Sequence, residues 1–226
     1  MAEFEKIPHG LQRIGARQSH SRHRHAGAYA AIVLHGRYEE WGSRGRWRVE
    51  AGDVLFHDAF ESHGDRFGKS DCAIFNLPLP PGFSTDIVQA RCHAIDAVME
   101  AGEDAVEMLL RHLEPRAAIE TDWPDRLVAD LARDPDLRLS DWAARHALSP
   151  EALSRGLRRV YGVTPAALRC ELRAYRAWTM LSRTRQPMAA IALDAGFADQ
   201  SHMTRAVSRL TGRPPSHWRR NWFVRP

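Results

Sequence analysis

The feature that most constrains this chain is an internal repeat in its second half. The stretch WAARHALSPEALSRGLRRVYGVTPAALR (142–169) aligns with IALDAGFADQSHMTRAVSRLTGRPPSHWR (191–219). Ala143 matches Ala192 and Leu148 matches Phe197 at an offset of 49. After one extra residue in the second copy, Ala198, the offset becomes 50. Ser149 then matches Asp199, Leu153 matches Met203, Arg155 matches Arg205, Leu157 matches Val207, Gly162 matches Gly212, and Pro165 matches Pro215.

Each copy follows one physical plan. A short helix ends in a tight turn, and Ser149 or Asp199 then supplies a side-chain oxygen to the exposed N–H groups of a second helix. Pro150 sits at the first helical position, where its missing N–H costs nothing. The second helix is expected to bury Leu153, Leu157 and Val160 in copy one, and Met203, Val207 and Leu210 in copy two. Gly162 and Gly212 stand where a helix ends on a left-handed residue. This is a helix-turn-helix, present twice: one over about 139–162 and one over about 188–212. Between them, 164–184 reads as a linker helix bounded by Thr164, Pro165 and Pro187. About 20 residues at about 1.5 Å each span roughly 30 Å, close to the about 34 Å of one DNA turn.

The outward faces of the second helices carry the chemistry. Copy one presents Glu151, Ser154, Arg155 and Arg158; copy two presents Gln200, Ser201, Thr204 and Arg205, with Ser208 beside them. A merely solvated face is richer in Glu and Lys, whereas Arg, Gln, Ser and Thr reach base edges and phosphates. Charge is divided to match. Residues 1–120 hold 14 basic and 18 acidic side chains, a net of −4, and residues 121–226 hold 18 and 10, a net of +8. A basic half of this kind fits a polyanionic partner such as double-stranded DNA.

The remaining composition narrows the class. With 44% apolar and 27% charged residues, 226 residues suit one large or two small soluble domains. Three well-separated cysteines with no CxxC pair fit a reduced, cytoplasmic setting. No apolar run resembles a signal peptide or a membrane span, so no membrane partner is expected.

Residues 28–80 alternate like strands, and 78–85 (PLPPGFST) reads as the exit from a sheet. The stretches IVQARCHAIDAVMEAG and EDAVEMLLRHLE show helical periodicity. The organisation expected is therefore α+β. Residues 1–85 form a β domain, 86–120 a helical segment that links or dimerises, and 121–226 an all-α DNA-binding domain.

The helical half resembles the AraC/XylS family of bacterial transcription regulators. The similarity covers about 100 residues and is most specific at IALDAGFADQSHMTRA and GRPPSHWR. It implies two helix-turn-helix motifs on a linker helix, binding promoter DNA and acting on RNA polymerase, often as an activator. The chain departs from the family at Ala147, where the first turn often has glycine, and at Leu157, Met203 and Val207, where phenylalanine is common.

The N-terminal half resembles the cupin-like β-barrel that often serves this family as a sensor. HRHAGAYAAIVLHG (23–36) is similar to the first cupin motif, with His23 and His25 at HxH spacing. GDVLFHDAFESH (52–63) is similar to the second, with His63 in its histidine position. Tyr29 occupies the place of the motif glutamate. Three readings of these residues stand side by side. One is an effector pocket lined by His23, His25, Tyr29 and His63. Another is a divalent metal held by His23, His25 and His63. The third is solvated surface histidines. His9, His20, His35 and His57 have no spacing that recommends them. The function expected is a one-component, dimeric regulator controlled by a small effector or metal, and not an enzyme. The alternative is a metal-dependent cupin enzyme with an attached DNA-binding domain; a further rival is an architectural DNA binder with no effector.

Overall fold

The computed structural model describes residues 5–119 and 122–221. They form two compact units that divide after residue 121, and the class is α+β.

The N-terminal unit contains β1 (Gly10–Ile14), β2 (Ser19–Arg24), β3 (Tyr29–His35), β4 (Arg37–Gly42), β5 (Gly45–Glu50), β6 (Asp53–His57), β7 (Ser62–Phe67) and β8 (Cys72–Pro78). After these come β9 (Gln89–Cys92), α1 (Ile95–Glu100), α2 (Ala105–Arg111) and β10 (Leu113–Arg116). The strands make two antiparallel sheets, in the orders β1-β8-β3-β6-β9-β10 and β2-β7-β4-β5. Among the described residues, strand pairing does not continue from one sheet to the other. The expected barrel is thus two sheets rather than one closed cylinder.

Strand β3 explains why YAAIVL reads as an unbroken apolar run. Its Tyr29, Ala31 and Val33 face the second sheet, packing with Tyr38, Trp47, Val49 and Phe67. Its Ala30 and Ile32 point the other way and meet Val98, Ala105 and Leu109 of α1 and α2. A strand covered on both faces has no polar side to show.

Residues 86–120 differ from the helical linker expected of them. β9 and β10 extend the larger sheet, and α1 and α2 cover that sheet's outer face. β9 is only four residues long, too short for a period of two to stand out against a helical one. It is fixed by pairing instead. The Gln89 side-chain amide donates to the Arg48 carbonyl and to Asp53 Oδ2, at 3.0 and 3.1 Å. Strands β1 and β2 begin before residue 28; sequences such as SHSRHR gave no apolar alternation because each is an edge strand.

The C-terminal unit is all helical: α3 (Trp123–Arg133), α4 (Leu139–Arg145), α5 (Pro150–Tyr161), α6 (Pro165–Arg183), α7 (Met188–Asp194), α8 (Gln200–Thr211) and α9 (Pro215–Asn221). Helix α6 runs through the unit and packs against α3, α5, α7, α8 and α9. It buries Leu168, Ala174, Ala177 and Leu181. Leu153, Leu157, Met203, Val207 and Leu210 are buried as their spacing predicts. Val160 is only half-buried, and Tyr161 takes the core position instead, matched in the second copy by Thr211.

Candidate nucleic-acid interface and sensor cavity

The two helix-turn-helix copies agree down to individual hydrogen bonds. In the first turn the Leu148 N–H donates to the Ala143 carbonyl at 3.0 Å, and in the second the Phe197 N–H donates to Ala192 at 2.8 Å. The residue before each donor is left-handed: Ala147 at φ 53° and Gly196 at φ 80°. Phe197 is buried in the angle between α7 and α8. The caps also correspond. Ser149 Oγ accepts from the Ala152 N–H at 3.1 Å, and Asp199 Oδ1 accepts from the His202 N–H at 2.7 Å. Both second helices end on a left-handed glycine, Gly162 and Gly212, each at φ 68°.

This framework turns the proposed reading faces outward. Glu151, Arg155, Arg158, Gln200, Ser201 and Arg205 are exposed, while Ser154, Thr204 and Ser208 are half-exposed. Among the described residues, no ion pair ties down Arg158 or Arg205. Glu151, one turn before Arg155, has its carboxyl held below the usual carboxylate range by its own backbone N–H and then by Ser149. Side-chain hydrogen bonds tie the scaffold behind these faces together. The Tyr161 hydroxyl donates to Asp125 Oδ1 at 2.7 Å, and the Trp142 indole N–H donates to Asp130 Oδ2 at 2.8 Å. Arg173 donates to Asp136 Oδ1 at 2.7 Å beside the Gly196 turn.

In the N-terminal unit, the four resemblance residues His23, His25, Tyr29 and His63 converge on a cavity of about 500 Å³. Two residues with no recommending spacing join them: His57 on β6 and Glu40 on β4. His57 stacks on Tyr29 with ring centres 4.3 Å apart, and its Nδ1 lies 3.6 Å from Glu40 Oε1. The signal for both was strand phase. Glu40 shares the inward phase of Tyr38, and His57 that of Leu55. His20 and His9 also line the cavity, whereas His35 is exposed.

The electrostatics favour neutral groups. Burial, followed by Arg44 and the neighbouring imidazoles, pushes His57 well below the ordinary histidine range. Burial, followed by His57, does the same to His63. His25 is lowered by burial first and by His23 next. Burial raises the Glu40 carboxyl well above the usual range, and the charges of Asp65 and Glu61 add to it. At neutral pH His25, His57 and His63 therefore keep a lone pair, the form that binds metal.

Tautomers follow from the partners. The Nδ1–H of His25 donates to the Lys6 carbonyl at 2.8 Å, and that of His23 to the Ser21 carbonyl at 2.9 Å. A carbonyl only accepts, so in the neutral His25 ring Nε2 carries the lone pair. Ligand atoms of His23, His25 and His63 lie within 4.8 Å of one another. These residues fit a transition-metal ion chemically, with carbonyls orienting two of the rings.

Comparison with known proteins bears on the helical unit. Residues 142–221 match a family model described as a helix-turn-helix domain. The arabinose operon regulatory protein of Escherichia coli is 32% identical over 92 residues, covering 41% of this chain and 32% of that protein. Its Salmonella typhimurium counterpart is also 32% identical over 92 residues, covering 33% of its length. The chain thus spans about a third of the length of these relatives. Among solved structures, fatty-acid-bound ToxT from Vibrio cholerae aligns over 92% of this chain and 93% of its own, at 10% identity and a TM-score of 0.42. The C-terminal domain of AraT from Geobacillus stearothermophilus aligns over 43% of this chain and 84% of its own, at 26% identity and a TM-score of 0.40.

Proposed function

We propose, from the premise that this chain belongs to the AraC/XylS family by its double helix-turn-helix, that it is a sequence-specific, double-stranded-DNA-binding transcription regulator. The observation that carries this reading is the duplicated, hydrogen-bonded turn with an arginine-bearing polar face on each second helix, Glu151, Ser154, Arg155 and Arg158 on one and Gln200, Ser201, Thr204 and Arg205 on the other. Glu151, Ser154, Arg155 and Arg158 on α5, with Gln200, Ser201, Thr204 and Arg205 on α8, enter successive major grooves of promoter DNA. Helix α6, at 19 residues, spans about 28 Å and sets the spacing between them.

The N-terminal unit is the sensor. Its cavity takes an effector between His23, His25, Tyr29 and His63, and occupancy changes how the helical unit engages DNA or RNA polymerase. The chain works by binding, in the cytoplasm and as a homodimer, rather than by turnover. The dimer contact is assigned to segment 86–120, where Met99 and Leu110 leave apolar side chains exposed.

Gel-shift titration on the chain's own promoter region tests the DNA assignment. Arg155→Ala or Arg205→Ala is expected to cost about 1–3 kcal/mol in binding and to relax preference at one base position. Unchanged affinity and unchanged base preference in both variants refute it.

A further inference from the structure

The cavity holds a second cluster of ligating groups, deeper than the HxH pair. Glu40, His57 and His63 come from three strands, β4, β6 and β7, and each is buried. One ligand atom from each lies within 4.8 Å of the other two. We propose that these three residues bind one divalent transition-metal ion of the zinc, cobalt or nickel kind.

Geometry supports a pre-formed site. Bond lengths near 2.1 Å put neighbouring ligands of a tetrahedral ion about 3.4 Å apart. His57 Nδ1 and Glu40 Oε1 already stand 3.6 Å apart, beyond a good hydrogen bond and close to that edge. Two imidazoles and a carboxylate leave a fourth position open toward the cavity. Tyr29 steadies two of the three ligands: it stacks on His57, and its hydroxyl lies 3.1 Å from His63 Nε2.

The surroundings also ask for a cation. The second ring nitrogen of His63, Nδ1, is buried with no hydrogen-bond partner among the described residues. Glu40 stands opposite Asp65 in the β4–β7 pairing, and both carboxyls line the cavity. Arg44 is already engaged by Glu61, whose Oε2 accepts at 2.8 Å. A cation bound at Glu40 offsets the crowded carboxyls of Glu40 and Asp65.

The HxH triad is a competitor, because His63 belongs to both sets. It is a shallower one. His23 is half-buried, and its Nε2 sits 3.7 Å from the exposed Glu5 carboxylate. The deeper triad supplies an anionic ligand inside the cavity.

The regulatory consequence rests on the sensor reading above: the ion on the deeper triad is a second ligand of the sensor, held by residues other than the His23 and His25 pair. The full-length chain, stripped with a chelator, should take up one equivalent of Co2+ and develop the visible bands of a four-coordinate ion. Zn2+ should then bleach those bands. Glu40→Gln and His57→Gln should each weaken binding at least tenfold, while His23→Gln changes it less than twofold. Circular dichroism of the apo variants checks their folding. X-ray absorption of the Zn2+-loaded wild type decides the point even if a variant misfolds, because two imidazoles with a carboxylate support the site and three imidazoles overturn it. Absence of Co2+ uptake, or loss of uptake in His23→Gln alone, also overturns it. Zn2+ should shift DNA affinity at least fivefold in gel-shift titration. Selective DNA binding by a chain that takes up no metal refutes the site and leaves the regulator standing. Metal uptake by a chain that binds no DNA at any loading does the reverse.

Discussion

The Tyr161 hydroxyl donates to the buried carboxylate of Asp125 at 2.7 Å, joining the last turn of α5 to the first turn of α3. Leaving a buried acceptor without its donor costs about 1–3 kcal/mol. Tyr161→Phe should therefore lower the unfolding free energy of the helical unit by about that amount, read from urea unfolding followed by far-ultraviolet dichroism. A loss below about 0.5 kcal/mol would show that the bond is not what fixes α5.

Gly156 lies in the middle of α5, where alanine would normally add about 1 kcal/mol of helix stability. A Cβ there would collide with the Trp123 ring, and overpacking costs about 1–3 kcal/mol. Gly156→Ala should be destabilising in the wild-type background and stabilising once Trp123 is replaced by alanine. Thermal melts of the two single variants and the double variant measure that change of sign.

The paired turns give opposite expectations. Ala147 holds φ 53° without glycine's freedom, a strain of about 1–2 kcal/mol for an L-residue. Ala147→Gly should recover up to about 1 kcal/mol, since extra unfolded-chain entropy offsets part of the relief. Gly196→Ala should lose more than that. Besides the same strain at φ 80°, its Cβ would strike Asp136 Oδ1 and the Arg173 guanidinium. Differential calorimetry on both variants gives the comparison; equal shifts of the same sign would contradict it.

Burial raises the Cys72 thiol to about 11, and Cys72 is 1% exposed. Reactivity follows the thiolate, so iodoacetamide at pH 8 should modify the half-exposed Cys170 first. Cys72 should label only as fast as the N-terminal unit opens. The raised value also has a sign for stability. The native thiol is fully protonated below pH 9, and stability falls as pH climbs from there through about 11. Mass spectrometry of the labelled chain across pH 7–10 tests both statements.

The helical unit was legible because its information is local. Caps, turn residues and a period of 3.6 lie within each copy, and repetition supplied an internal control. The strain at Ala147 could be anticipated from its register with Gly196. Tyr161 was less legible, since its core place depends on Asp125, 36 residues away. The N-terminal site was half legible. HxH spacing pointed to His23 and His25, but Glu40 and His57 reach the cavity only through pairing across two sheets. Strand β9 was hidden for the same reason, because four residues carry too little periodicity to declare themselves.

Helix α6 has one more consequence. Both helix-turn-helix motifs pack on this single helix, so it fixes their rotational phase as well as their separation. At 3.6 residues per turn, one residue added to or removed from its middle swings the second motif by about 100° while altering the span by only about 1.5 Å. The exposed residues of α5 and α8 can therefore vary one by one, whereas a change of one residue in the length of α6 turns one helix-turn-helix relative to the other.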